Sequence, residues 1–209
     1  MTVQTGQMTR ALRLPQGWAI VGYASLILFP LFFIELAILG TGEEGIRQVV
    51  RTSAQTSVIL FTAAFAASSL FQLRRTPTTR WLLANRRYIG VSFGVSHFAH
   101  LAALIALGRV SQSFVNGLNA TTLIGGGMAY VFLTAMVATS FDRTAAALGP
   151  VWWGRLHKVG AYYIWGIFFQ SYLPRMLITS VAYAPAVALL AGAMAIRLYT
   201  GWQARRASR

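Results

Sequence analysis

The chain has no cysteine among its 209 residues. That excludes disulfides, thiolate metal sites, iron–sulfur clusters and cysteine nucleophiles. Acidic residues are almost as scarce, with 4 Asp and Glu against 18 Lys and Arg. None of the four carboxylates sits at a spacing that builds an acid–base couple or a triad, so classical hydrolytic chemistry is disfavoured. Charged residues of both signs make up only 11% of the chain, where a soluble domain carries about a quarter.

What the chain does have is apolar length. Hydrophobic residues reach 56%, and they gather in runs close to the ~20 residues that cross a bilayer as a helix. The sequence predicts an all-α integral membrane bundle of six transmembrane helices over residues 18–199. A polar lead (residues 1–17) precedes it and a basic tail (residues 200–209) follows. Trp18 onward reads as a retained first span, because no small-residue cleavage site follows it. The expected spans are 18–40, 54–73, 87–107, 121–141, the stretch from His157 to Leu173, and 176–196. Glu35 lies near the end of the first and is expected to be partly solvated at the boundary. Pro185 is expected to kink the last. The run Gly125-Gly126-Gly127 suits close helix packing, since no lysine follows at P-loop spacing.

The net charge of +14 does not point to nucleic acid, because the arginines punctuate the apolar runs rather than cover one soluble face. Fourteen of the 18 Lys and Arg fall in the N-terminal lead, the second loop, the fourth loop and the C-terminal tail; four fall in the intervening loops. This alternation predicts that both termini are cytoplasmic.

Three histidines remain. His97 and His100 share a similar face of the third span. His100 is about 21 Å along the helix from Arg86, past the membrane middle. His157 stands between Arg155 and Lys158 at the cytoplasmic edge of the fifth span. Ionisable groups within lipid are functional candidates, and neutral imidazole is the usual axial ligand of b-type haem. Each histidine could also simply bond a neighbouring helix.

Arg86-Arg87-Tyr88-Ile89-Gly90 followed by His100 resembles the third helix of the ferric-reductase-like transmembrane domain. Thr139-Ser140-Phe141-Asp142, Leu148-Gly149-Pro150 and Trp153-Gly154-Arg155-Leu156-His157-Lys158, then Tyr162-Tyr163, resemble the loop and fifth helix of the same superfamily. The likeness covers about residues 54–172. It is nearest to small bacterial haem-binding membrane subunits, such as that of the periplasmic methionine sulfoxide reductase system. The resemblance implies a multi-pass protein of the bacterial inner (plasma) membrane carrying haem b, one or two, with His100 and His157 as axial ligands of the haem iron and His97 as an additional candidate. Such a subunit passes electrons to an acceptor on the outer side. It draws them from a cytoplasmic flavin donor or from quinol, through a separate reductase or periplasmic redox partner. The chain departs from the family where Gln170 stands in place of a second histidine on the fifth helix, and where Arg86 replaces one near the start of the third. That departure keeps open an alternative, a haem-free accessory subunit of a larger membrane complex. A transporter using Glu35 and the histidines is a weaker reading, because no broken-helix pair or repeat is present.

Overall fold

The computed structural model describes residues 14–207. Arg10, Arg13 and Arg209, which the charge pattern counts, lie outside the described residues, as does most of the polar lead. Every regular element among the described residues is helical. In chain order these are α1 (Trp18–Leu39), α2 (Glu43–Leu73), α3 (Pro77–Val110), the short α4 (Gln112–Asn116), α5 (Ala120–Ala138), the short α6 (Asp142–Leu148), α7 (Pro150–Pro174) and α8 (Ala184–Ala207). A π-helical turn, Arg175–Thr179, and a single 3₁₀ turn, Val181–Tyr183, join α7 to α8.

Five helical segments are long and apolar enough to cross a membrane: α1, α2, α3, α5 and the segment from Val181 through α8. The chain is accordingly a multi-pass membrane protein. The fifth expected span, α7, has 25 residues but is not among the five, its first turns carrying Arg155, His157 and Lys158. It nevertheless runs along α5 in the opposite direction. Trp153 donates its indole N–H to the Thr139 carbonyl at 2.9 Å, and Tyr163 donates to the Gly125 carbonyl at 3.2 Å.

The helices extend well beyond the apolar runs, which corrects several expected loops. The stretch 41–53 was expected to be a polar loop, yet α2 starts at Glu43. Arg80, Arg86 and Arg87 sit on α3 rather than in a basic loop. Pro77 explains the early start: it occupies the first turn, where no N–H is needed, and Thr76 and Thr79 close a capping box. Pro185 does not kink the last helix. It is the second residue of α8, where its missing N–H breaks no bond.

The α2–α3 pair forms the centre of the bundle. Ser53, Ser57, Ser92 and Ser96 are fully buried, and three of them cross-link the pair. Ser96 Oγ lies 3.0 Å from Ser57 Oγ and 2.9 Å from Thr56 Oγ1, and Ser53 Oγ lies 3.0 Å from His100 Nδ1. Small side chains of this kind let membrane helices approach closely, with hydroxyls bonding across the seam. Around the seam, Phe61, Phe65, Phe93, Phe168 and Leu133 form the main apolar core with Leu190 of α8. By contrast α1 is exposed on most of its surface, including Leu26, Phe33 and Ile38. Such a face suits lipid, and no amphipathic stripe is required of it.

Of the triple glycine, only Gly125 lies close to a partner, with the position of an added Cβ 3.3 Å from Ile167; Gly126 and Gly127 have open space. The tightest approach is at Gly45, where a Cβ would lie 1.9 Å from the Gly40 carbonyl oxygen. Gly40 itself ends α1 with φ +81°, so the α1–α2 turn depends on both glycines. Gly45→Ala is expected to destabilise the detergent-solubilised protein by about 1–3 kcal/mol. Gly22→Ala, which meets nothing within 4 Å, serves as the control. Equal melting temperatures for the two variants would show that the turn relaxes freely.

Candidate functional site

The helix ends sort into two groups. At one end Asn85 accepts the Gly17 N–H, Thr200 donates to Ser69, Arg87 pairs with Asp142, and Trp18 stacks on Phe141. The start of α1, the end of α2, the start of α3, the end of α5 and the end of α8 therefore meet there. At the other end Arg47, near the start of α2, pairs with Glu43 and reaches Ser111 and Ser113 beyond α3. The segments richest in arginine gather at the first end.

His157 is at this basic end. It lines a cavity of about 370 Å³ formed by α2, α3, α5, α7 and α8. Phe61 and Phe65 form one wall, Phe93 and Gly90 a second, and Leu133, Met136 and Val137 a third. Four cations also line it: Arg86, Arg87, Lys158 and Arg197. The His157 ring stacks on Trp153, with centroids 4.1 Å apart, and its Nε2 lies 3.1 Å from Thr139 Oγ1. The Thr139 hydroxyl has one proton and sits 2.7 Å from the Ala135 carbonyl, which can only accept. Nε2–H therefore donates to Thr139, and the lone pair of the neutral ring is on Nδ1.

Arg197 went unrecognised as a site residue in the sequence, where it reads as part of the charged tail. The apolar Leu198 and Tyr199 beyond it are the available signal that the helix continues. Its guanidinium donates to the Phe65 carbonyl at 2.6 Å and covers the Phe65 and Tyr162 rings at 4.2 and 5.0 Å. No carboxylate pairs with it among the described residues. The helix carbonyl and the two ring faces take the place of a counter-ion. Arg87 keeps its Nε buried and without a hydrogen bond, while its Nη1 holds Asp142.

His97 and His100 are brought together as the face argument expects. Their rings stack at 5.2 Å on α3. His100 Nδ1 is 3.1 Å from the Val50 carbonyl and 3.0 Å from Ser53 Oγ. A carbonyl only accepts, so Nδ1 carries the proton and Nε2 holds the lone pair. His97 stacks on Tyr130 at 4.9 Å and meets Phe93 and Phe168 at 5.3 Å each. Its Nδ1 is buried with no hydrogen-bond partner.

The two histidine groups remain separate. Phe93 and Phe168, ring against ring at 5.9 Å, stand between the His157 cavity and His97. Gln170, expected opposite His100, is exposed on α7, whereas Phe168 and Tyr172 turn inward. Glu35, expected to be partly solvated at the boundary, is half-buried. Oε1 accepts the Thr52 hydroxyl at 2.5 Å, and Oε2 is buried without a partner. No cluster of three or more His, Cys, Asp or Glu side chains forms among the described residues.

Comparisons with protein-family models, with curated proteins and with solved structures find no match for this chain.

Replacing Arg197 by Met removes a charge-assisted hydrogen bond between α8 and α2, of a kind that contributes about 1.5–3 kcal/mol. A lower melting temperature in detergent is expected, with partial recovery for Arg197→Lys. If Arg197→Met melts at the wild-type temperature, the α2–α8 contact is held by packing alone.

Proposed function

We propose that this chain is a haem-b-binding electron-transfer subunit on a ferric-reductase-like scaffold. It has six spans, lies in the bacterial inner membrane, and has its basic end and both termini in the cytoplasm. The observation that carries the proposal is the His157 cavity. It combines an imidazole, aromatic and aliphatic walls, and four cations of which, among the described residues, only Arg87 has a carboxylate partner. A flat, largely apolar macrocycle with anionic propionates matches that combination. Bound haem b supplies one-electron redox chemistry at its iron.

The residues divide the work by chemistry. Lys158, Arg86 and Arg197 would neutralise propionates at the basic end. Gly90 leaves open space on α3, since a Cβ there meets nothing within 4 Å, and this admits a flat ring. His157 presents Nδ1 as its available lone pair, so ligation through Nε2 requires release from Thr139. His100 is oriented as metal-binding histidines commonly are, with Nδ1–H tied to a backbone carbonyl and Nε2 free. It is the ligand candidate for a second level nearer the other end, beside His97. Electrons entering from a cytoplasmic flavin donor or quinol would reach the His157 level first and leave on the outer side.

A haem-free accessory role is the second reading, favoured by one observation. The bundle interior between the two histidine levels is already filled by Phe61, Phe93 and Phe168.

Absorption spectra of the protein purified from haem-replete cells decide between the readings. A Soret band that shifts on dithionite reduction, and that His157→Ala diminishes severalfold, is the expected result. His100→Ala is expected to remove a separate spectral component. A colourless wild-type protein that co-purifies with a fixed partner establishes the accessory role and rejects haem binding.

A further inference from the structure

A second recess opens at the basic end, apart from the histidines. It holds about 750 Å³ between residues 16–17 ahead of α1, the end of α2 and the first turns of α3. Its walls are fixed by three hydrogen bonds. The Trp81 indole donates to the Pro15 carbonyl at 2.9 Å, the Gly17 N–H donates to Asn85 Oδ1 at 3.0 Å, and Asn85 Nδ2 donates to the Trp81 carbonyl at 2.9 Å. Asn85 is buried while the cations around the recess, Arg75 and Arg80, are exposed. Tyr88 completes the lining.

No acidic side chain balances those two arginines. The four acidic residues are Glu35, Glu43, Glu44 and Asp142. Glu43 and Glu44 begin α2, whose 31 residues separate them from Arg75 by about 46 Å of helix. Glu35 is near the far end of α1, bonded to Thr52 on α2. Asp142 is at the near end but is paired with Arg87. The amides that start α3 are closed by the Thr76–Thr79 capping box, so they are not the recognising groups. Arg75 lies over the Phe71 ring at 5.8 Å, and neither arginine has an acidic side-chain partner among the described residues, so both are available to an anion from outside the chain. The recess lies where the apolar helices end, with a tryptophan and a tyrosine on its wall, the residue types enriched in the headgroup layer.

We propose that this recess binds the phosphate of an anionic phospholipid headgroup, with Arg75 and Arg80 as its cations and Trp81 and Tyr88 as the wall beside the glycerol. This site depends on the membrane setting and is independent of haem. Native mass spectrometry of the full chain in detergent, titrated with phosphatidylglycerol and phosphatidylcholine, tests it. The wild type is expected to retain phosphatidylglycerol preferentially, and Arg75→Gln/Arg80→Gln to lose roughly ten-fold of that affinity. Arg143→Gln/Arg155→Gln removes the same charge at the same end, outside the recess, and is expected to leave it unchanged. Arg80→Gln alone is expected to give an intermediate loss, and melting curves confirm that each variant is folded. Equal losses in the two double variants mean a diffuse surface potential and overturn the site, as does the absence of any preference. Displacement of phosphatidylglycerol by millimolar inorganic phosphate assigns the recess to a soluble phosphate and overturns the lipid assignment.

Discussion

Ser53, Ser57 and Ser96 bond across the α2–α3 seam, with Ser92 buried beside them, and the rest of the bundle is built against that pair. Lipid removes the hydrophobic pull that would drive two helices together in water, so close packing of small groups and bonds across the seam must hold them. Each buried hydroxyl also needs a partner. Ser53 and Ser92 return theirs to carbonyls one turn earlier, Val49 and Tyr88, and Ser96 spends its own on α2. The same seam sets the rotation of α3. With Ser96 turned to α2, His100 meets Val50 and Ser53, and His97 is left facing Tyr130 and Phe168.

Charge scarcity shapes the molecule in a second way. Three of the four carboxylates lie toward one end and most arginines lie at the other. The basic end therefore relies on other partners: Arg197 uses a helix carbonyl and two ring faces, Arg155 the Trp152 face and Arg206 the Trp202 face. Guanidinium groups tolerate this because they are planar, weakly hydrated and attracted to aromatic faces. The same positive potential underlies both proposals, haem propionates in the inner cavity and headgroup phosphate in the outer recess.

Much of the architecture is legible before any coordinates. Apolar runs locate the helices, and Arg74 and Pro77 mark the break between α2 and α3, because arginine leaves lipid and Pro77 disfavours helix before it. The helix lengths are not legible from hydropathy, since a helix continues into the polar layer wherever its backbone bonds are still satisfied. Arg80 and Arg86 therefore lie on α3, and Arg197 within α8. Pro185 misleads for a related reason: its effect depends on whether it falls inside a helix or at its start. Gln170 was expected inward by analogy, and the rotation of α7 puts Phe168 and Tyr172 inward instead.

The sequence by itself determined the class of the protein. Apolar runs near bilayer length, alternating arginines and the absence of cysteine follow from composition and spacing, which folding does not alter. It also determined that His97 and His100 would be neighbours, because helical periodicity alone puts residues three apart on one face. Only the tertiary structure decided what the imidazoles and arginines meet. The separation of His157 from the His97–His100 pair by Phe93 and Phe168, the seat of Arg197 over Phe65 and Tyr162, and the closure of the recess by Asn85 and Trp81 all join residues distant in the chain. Such contacts depend on how each helix is rotated about its axis, and that rotation is set by packing against neighbours.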